Sequence, residues 1–240
     1  MDLFTVDHEK CKRDGICVDE CPSGIIEIKE GNAVPTLVDG ADAFCINCGH
    51  CVAVCPHGAL SLKNMGPDDC LPVNPQWQMA PDQVEHFLRS RRSIRTYKPE
   101  PVDRDTLTRL IAVARHAPSG HNLQPVRWLV VHDSDAVRTL AGHVVDWMRF
   151  LIKEHPAMAE AMHLERVVSR YEGGKDIICR GAPHLIIAHA EKKDPTAQAA
   201  STIALAYLEL AAPSFGLGAC WGGYFGAAAT LWPPLTRRIR

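Results

Sequence analysis

Seven of the ten cysteines of this 240-residue chain lie within its first 55 residues, and their spacing is regular. The later group follows the pattern C-x2-C-x2-C-x3-C-P, with its cysteines at Cys45, Cys48, Cys51 and Cys55. At this spacing three thiolates wrap one compact iron–sulfur cluster, while the fourth reaches the other cluster of a pair. Gly49 lets the loop turn tightly and directs backbone N–H groups towards the cluster sulfides. The pattern therefore predicts iron–sulfur ligation.

The earlier group keeps this spacing except at its second position, where Asp14 replaces a cysteine. Because the fourth ligands cross, the predicted sets are Cys11, Cys17 and Cys55 for cluster I, and Cys21, Cys45, Cys48 and Cys51 for cluster II. Either Asp14 ligates the fourth iron of cluster I weakly, or that iron is lost. Cluster I is then [4Fe–4S] or [3Fe–4S], and cluster II is [4Fe–4S]. The alternative role for Asp14 is that of a turn residue before Gly15.

Two other uses of these cysteines have to be weighed. Four cysteines can hold a structural zinc ion, but the two interlocked C-x3-C-P tails favour iron–sulfur clusters. A disulfide scaffold is typical of small secreted domains, and the first ten residues show no apolar segment that would serve as a secretory signal. Residues 5–62 resemble the bacterial-type two-cluster ferredoxins.

The composition limits what the whole chain does. Hydrophobic residues make up 46%, charged residues 22%, and the net charge is −2. These values are typical of a soluble globular protein and do not favour nucleic acid or an anionic membrane as a partner. Since no apolar run approaches the ~18–20 residues that span a bilayer, a cytoplasmic protein is expected.

The residue composition and pattern change twice along the chain, which predicts two domains and a linker. Residues 1–63 contain two similar cysteine-rich units with short β-prone runs. Residues 64–81 hold four prolines and predict a semi-rigid linker. Residues 82–240 mix strands with helices, so the predicted fold class is α+β in a small iron–sulfur domain followed by a larger α+β domain.

Several elements of the larger domain are predicted from capping residues and apolar periodicity. Asp82 and Asp103 are candidate helix N-caps. A further helix is predicted from apolar residues that follow the 3.6-residue period, which are Val137, Leu140, Val144, Trp147, Met148 and Leu151. The predicted strands are Trp128–Val131, His184–Ala188 and Ala219–Phe225. Residues 196–212 form an Ala-rich apolar helix that is predicted to be buried on most sides.

Three segments of this domain carry polar or flexible residues that could bind a ligand. The run Arg91-Arg92-Ser93-Ile94-Arg95 is an anion clamp, or alternatively a solvated basic helix end. Residues 117–128 place amides and a hydroxyl in a loop that could bind a heteroaromatic ring, or form an ordinary turn. Residues 216–224 contain four glycines, which allow close approach of a flat ligand or mark a bulge.

In this order, the three segments resemble the FMN-dependent nitroreductase family over residues 84–230. With the cysteine-rich domain, the chain is similar to the ferredoxin-fused branch of that family. The resemblance implies these FMN-binding residues: Arg91, Ser93 and Arg95 at the phosphate, Arg92 near the flavin, Ser119 and Asn122 at the ribityl chain or ring, and Gly222 and Gly223 along the isoalloxazine. It also implies a homodimer, because the family builds its flavin sites between two subunits. No side chain is predicted to be an obligatory catalytic acid or base.

Two departures from the family pattern stand out. Val126 takes the place of a tryptophan after the proline, with Trp128 two positions later. The chain ends at Arg240, where family members continue with a further strand and a basic tail, so a truncated C-terminal end is expected.

The combined prediction is a flavin-dependent oxidoreductase. It would pass electrons from a donor, either reduced ferredoxin or flavodoxin or NAD(P)H, through two clusters to FMN. From FMN they would reach a small organic acceptor such as a nitroaromatic or a quinone. The alternative is a non-catalytic electron carrier whose second domain docks a redox partner. No G-x-G-x-x-G fingerprint is present, although a nicotinamide could still stack transiently on the flavin.

Overall fold

A computed structural model describes residues 3–31 and 33–239 of the chain. It divides into two units. The first unit comprises the chain up to Pro81 together with Ser119–Leu123, and the second comprises Asp82–Pro118 and the chain from Gln124 onward. None of the helices in the described residues is long and apolar enough to cross a bilayer.

The first unit is built from short strands and one-turn helices. Its elements are β1 (Phe4–Val6), α1 (Ile16–Asp19), β2 (Ile26–Glu27), β3 (Thr36–Leu37), α2 (His50–Ala53) and β4 (Leu60–Leu62). Strand β1 pairs antiparallel with β4, and β2 pairs antiparallel with β3. Each helix follows a left-handed glycine, Gly15 at φ 80° and Gly49 at φ 76°. The two cysteine-rich repeats therefore fold alike.

The core of the first unit is small and includes two of the thiols. Cys17 and Cys51 are buried beside Ile26, Val52 and Leu60. A unit with so little apolar core depends on additional links for its stability. Metal ligation by these thiols would supply such links.

The second unit is mostly helical around one two-stranded ribbon. Its elements are α3 (Pro81–Ser90), α4 (Arg104–Ala114), β5 (Arg127–Val131), α5 (Ser134–Glu154), α6 (Pro156–Ala161), α7 (Leu164–Glu172), β6 (Leu185–His189), α8 (Ala197–Ala211), α9 (Gly223–Leu231) and α10 (Pro233–Thr236). Strands β5 and β6 pair antiparallel, with Leu129 opposite Ile187. Helix α5 supplies the centre of the larger core. Its buried residues are Val137, Leu140, Ala141, Val144, Val145, Trp147, Met148 and Leu151, which is the predicted helical period.

Most local predictions for this unit are confirmed. Asp103 caps α4, and its Oδ1 accepts a hydrogen bond of 2.8 Å from the backbone N–H of Thr106. The two strands predicted around Trp128 and Leu185 form as β5 and β6. Helix α3 begins at Pro81, so the prediction of Asp82 as its N-cap is wrong and Asp82 is the second residue of the helix. Asp82 lies in the first turn, where a carboxylate is stabilised by the helix dipole.

Two other predictions are wrong. The segment from Ala219 to Phe225 is not a strand, because α9 begins at Gly223 and its run of three alanines after Gly226 favours helix. Helix α8 is not buried on most sides. Its buried residues are Ala200, Ala204 and Leu208, spaced four apart on one face, while Ile203 and Tyr207 are exposed.

A pair of histidines links three segments of the second unit. The Nε2 atom of His184 accepts a hydrogen bond of 2.7 Å from the N–H of Val102, and its Nδ1 donates one of 2.8 Å to the carbonyl of His132. The ring of His132 lies 4.3 Å from that of His184 and donates to the carbonyl of Val102 at 3.0 Å. His184 must therefore be neutral, with its proton on Nδ1.

We expect the second unit to lose stability as the pH falls below neutrality. Partial burial lowers the pKa of His184 below its ordinary value of 6.5. The unfolded chain therefore binds a proton first, so the stabilisation is complete above about pH 6.5 and is lost as the pH falls towards the lowered pKa. His184→Ala should cost about 1–3 kcal/mol at pH 7.5, because the N–H of Val102 loses its acceptor. Urea titrations at pH 7.5 and 5.5 measure this, and an equal pH dependence in the variant would contradict it.

Candidate functional site

Four cysteines of the first unit surround one hollow. They are Cys21, Cys45, Cys48 and Cys51, and the rest of the wall is largely apolar. Cys21 thus joins three cysteines of the later repeat, which is the crossed set that the spacing assigns to cluster II. Burial raises the pKa of the Cys51 thiol to about 11. Ligation therefore has to displace a proton, as metal binding by thiolates does.

A second hollow lies between the two repeats. Its wall contains Cys11, Asp14, Cys17 and Cys55, the residues assigned to cluster I, and also His57. Asp14 Oδ1 accepts a hydrogen bond of 3.3 Å from the N–H of Ile16, and its Oδ2 lies 3.8 Å from Nε2 of His57. The first contact suits a turn residue, and the place on the wall suits a ligand. Both roles of Asp14 stay predictions.

The thiols that line these hollows are the ligand type that an iron–sulfur cluster takes. Within residues 3–31 and 33–239, no three histidine, cysteine or acidic side chains converge on a point as ligands of one metal ion would. An iron–sulfur cube instead needs thiolates placed around its outside. Gly49 lies on the wall of the first hollow and has a left-handed φ of 76°, which glycine adopts without strain. The N–H of Ala59 donates to Cys55 Sγ at 3.4 Å, a type of contact that tunes cluster potential.

In the second unit, the arginine run lies alongside the glycine-rich segment. The N–H of Ile94 donates to the carbonyl of Ala219 at 2.9 Å. A Cβ added to Gly218 would lie 2.7 Å from Ile94 Cγ2 and 2.9 Å from Ile94 Cβ. Gly218 therefore has to be glycine for the two segments to approach so closely. A basic run beside exposed glycine backbone fits a flat ligand that carries an anionic group.

One carboxylate joins the same two segments. Glu209 on α8 accepts a hydrogen bond of 3.2 Å from Arg91 Nη1 through Oε1, and one of 2.9 Å from Trp221 Nε1 through Oε2. Its side chain is only 11% exposed. The motifs of the sequence do not point to Glu209. The available signal is a single acid within the otherwise uncharged sequence of α8.

Comparison with known families now places the chain. Residues 88–237 match the model described as the nitroreductase family, which is more than half of the chain, and residues 9–60 match that of a 4Fe-4S dicluster domain. The chain belongs to the nitroreductase family. The resemblance predicted from the three segments and from the cysteine spacing is confirmed.

Individual relatives of this nitroreductase-family chain are consistent with both family matches. An NADH dehydrogenase of Thermus thermophilus is 32% identical over 140 residues, covering 53% of this chain and 67% of that protein. Ferredoxin-1 of Nitratidesulfovibrio vulgaris is 55% identical over 31 residues, covering 13% of this chain and 50% of the ferredoxin. A solved nitroreductase with bound FMN from Bacteroides fragilis has a TM-score of 0.52 at 24% identity, covering 65% of this chain and 76% of the other. The predicted α+β fold is confirmed.

The remaining predicted flavin residues of this nitroreductase-family chain occupy several environments. Arg92 Nη1 donates to the carbonyls of Arg89 and Arg91, at 2.7 and 2.8 Å, which caps the end of α3. Ser93 is half-buried, and Arg95 is exposed. The cap on α3 is the contact expected of a basic helix end, so Arg92 matches the alternative interpretation.

The predicted ring-binding residues also differ from one another. Gly222 and Gly223 are exposed at the start of α9. Ser119 and Asn122 group with the first unit. There Asn122 Nδ2 donates to the carbonyls of Ile46 and Asn47 at 3.3 and 2.9 Å, in the loop between two predicted cluster II ligands. The flavin contacts of these residues stay predictions.

Proposed function

We propose that this nitroreductase-family chain is an FMN-dependent oxidoreductase that passes electrons from a donor through two iron–sulfur clusters to FMN and on to a small organic acceptor. The observation that carries the proposal is the presence of a 4Fe-4S dicluster domain and a nitroreductase domain in one chain. FMN, when bound, takes up electrons one at a time and gives them up in pairs, which matches single-electron clusters to a two-electron acceptor. Nitroaromatics and quinones are acceptors of this class.

Each group of residues has a distinct part in this proposal. The crossed sets of cysteines hold the two clusters, and Asp14 on the wall of the second hollow is the candidate fourth ligand of cluster I. Arg91, Ser93 and Arg95 bind the phosphate, since guanidinium and hydroxyl donors suit a dianion. Gly218 keeps the arginine run beside the glycine-rich segment, so that Gly222 and Gly223 border the ring.

A homodimer in a reducing cytoplasm is part of the proposal. The apolar residues Ile203 and Tyr207 on α8, and Val84 and Leu88 on α3, are exposed in the single chain. On each helix the two residues are four apart and so are neighbours on one face, and exposed apolar side chains of this kind are typical of subunit interfaces. Free thiols are retained in reducing compartments. The donor is reduced ferredoxin, flavodoxin or NAD(P)H, and the Thermus relative named NADH dehydrogenase supports a first trial with NADH.

Replacing Arg91 tests the flavin part of the proposal. Charge-assisted hydrogen bonds to phosphate are each worth roughly 1.5–3 kcal/mol, so Arg91→Ala should weaken FMN binding at least about tenfold. The affinity for riboflavin, which has no phosphate, should stay within about twofold of wild type, because ΔΔG below about 0.5 kcal/mol is expected away from the changed contact. Titration of the anaerobic protein, followed by flavin fluorescence, measures both.

The matched control is Arg149→Ala, which removes an arginine paired with Glu172 at 2.7 Å in the same unit. It should leave FMN affinity unchanged, and the iron–sulfur absorption should be the same in all three proteins. If Arg91→Ala binds FMN as wild type does, the arginine run is only a basic helix end. If wild-type protein does not bind FMN at all, the chain is an electron carrier rather than a flavoenzyme.

A further inference from the structure

Glu209 is a carboxylate inside an apolar helix. Helix α8 carries no other charged residue, and the Glu209 side chain is 11% exposed. Removing a carboxylate from water is unfavourable unless hydrogen bonds and opposite charge replace the lost hydration. Here the two oxygens have separate partners, Arg91 Nη1 and Trp221 Nε1, at 3.2 and 2.9 Å.

The two donors come from the two segments that frame the proposed flavin site in the second unit. Arg91 begins the arginine run, and Trp221 directly precedes Gly222. The backbone contact between Ile94 and Ala219 joins the same segments at another point. Glu209 therefore fixes their spacing from the helix behind them, with one oxygen to each segment.

The contact also orients the guanidinium of Arg91. A guanidinium has five N–H donors, and the bond to Glu209 uses Nη1. The Arg91 side chain is 41% exposed, so the group is accessible to an anion while one of its nitrogens is held. A long side chain that is already oriented loses less freedom when a ligand binds, which raises affinity.

We infer that Glu209 is a positioning residue of the FMN site, acting through Arg91 on the phosphate. This inference rests on the proposed function, in which Arg91 binds the FMN phosphate. The change in FMN affinity that it predicts has the opposite sign to the change expected from charge alone. By charge alone, removing a carboxylate near a phosphate site should strengthen anion binding, whereas loss of a positioning contact should weaken it.

The test compares FMN with riboflavin in the cluster-containing protein. Glu209→Gln keeps an oxygen that can accept from Trp221 Nε1 and removes the charge that holds Arg91. We expect it to weaken FMN binding at least about fivefold and riboflavin binding less than about twofold, since only the phosphate contact depends on Arg91. Glu172→Gln is the matched control, because it removes one of the two carboxylate partners of Arg149 elsewhere in the unit, and it should change neither affinity.

A double variant separates positioning from general support of the fold. If Glu209 acts through Arg91, then Arg91→Gln with Glu209→Gln should bind FMN no more weakly than Arg91→Gln alone. The inference is wrong if the losses of FMN affinity in the two single variants add up in the double variant. It is also wrong if Glu209→Gln weakens FMN and riboflavin binding equally, or if it leaves FMN binding unchanged or tighter. If Arg91→Ala itself binds FMN as wild type does, the phosphate assignment in the proposed function fails, and the inference fails with it. If Arg91→Ala weakens FMN and Glu209→Gln does not, only the inference fails.

Discussion

Replacing Cys21 by alanine should remove cluster II and leave cluster I, while replacing Cys55 should remove cluster I and leave cluster II. The reason is the crossing of the fourth ligands. Cys21 belongs to the earlier repeat by sequence, but it stands in the hollow of the later one, and Cys55 does the reverse. Neither thiol is fully buried, so the changes disturb the small core less than changes at Cys17 or Cys51 would.

Iron content and spectroscopy measure the result. Anaerobically reconstituted wild-type protein should hold about seven or eight irons per chain, and each variant about half of these, since each keeps one cluster of three or four irons. Cys70→Ala is the matched control. Cys70 packs against the same core but is not among the residues that line either hollow, so both clusters should remain.

Other outcomes would contradict specific parts of the assignment. Loss of cluster I from Cys21→Ala would mean that the fourth ligands do not cross. If the anaerobically reconstituted protein holds one or two zinc ions per chain and no iron, the cysteines form structural zinc sites and not iron–sulfur clusters. Loss of all iron from either variant alone would mean that the two clusters form only together.

The sequence was most informative where contacts are local. Cysteine spacing, the cap at Asp103 and the period of α5 depend on neighbours a few residues away, and the structure contains the hollows, the cap and the buried face that they predict. It was less informative for α9, because the glycine-rich pattern around Gly222 and Gly223 predicts a strand there. The alanines that follow them favour helix, and they decide the local conformation.

The other failures have a different physical cause, which is that packing partners are distant in sequence. The composition of α8 shows that it could be buried, but not that only the face with Ala204 and Leu208 is covered within one chain. Glu209 and Arg91 are 118 residues apart, so no spacing rule connects them. The only trace of their contact in the sequence is a charge in an apolar helix, which has to find a partner.

The second large effect is expected on the iron content of cluster I, and it depends on Asp14. Its side chain lies on the wall of the second hollow with the three cysteines assigned to cluster I. A carboxylate is a harder ligand than a thiolate, and cluster irons prefer sulfur. Wild-type cluster I should therefore lose one iron on mild oxidation and give the paramagnetic signal of a [3Fe–4S] cluster. Asp14→Cys should suppress that signal and shift the reduction potential, because it restores a full thiolate set.

Asp14→Asn decides between ligand and turn residue. The amide oxygen of asparagine can still accept the hydrogen bond that Asp14 Oδ1 receives from the N–H of Ile16, so the turn is kept while the anionic ligand is lost. If the carboxylate holds the fourth iron, Asp14→Asn should show the three-iron signal before any oxidant is added. If it only closes the turn, Asp14→Asn and wild type should give the same signal at every stage of the oxidation. That result would remove Asp14 from the ligand set and leave cluster I with three cysteines and three irons.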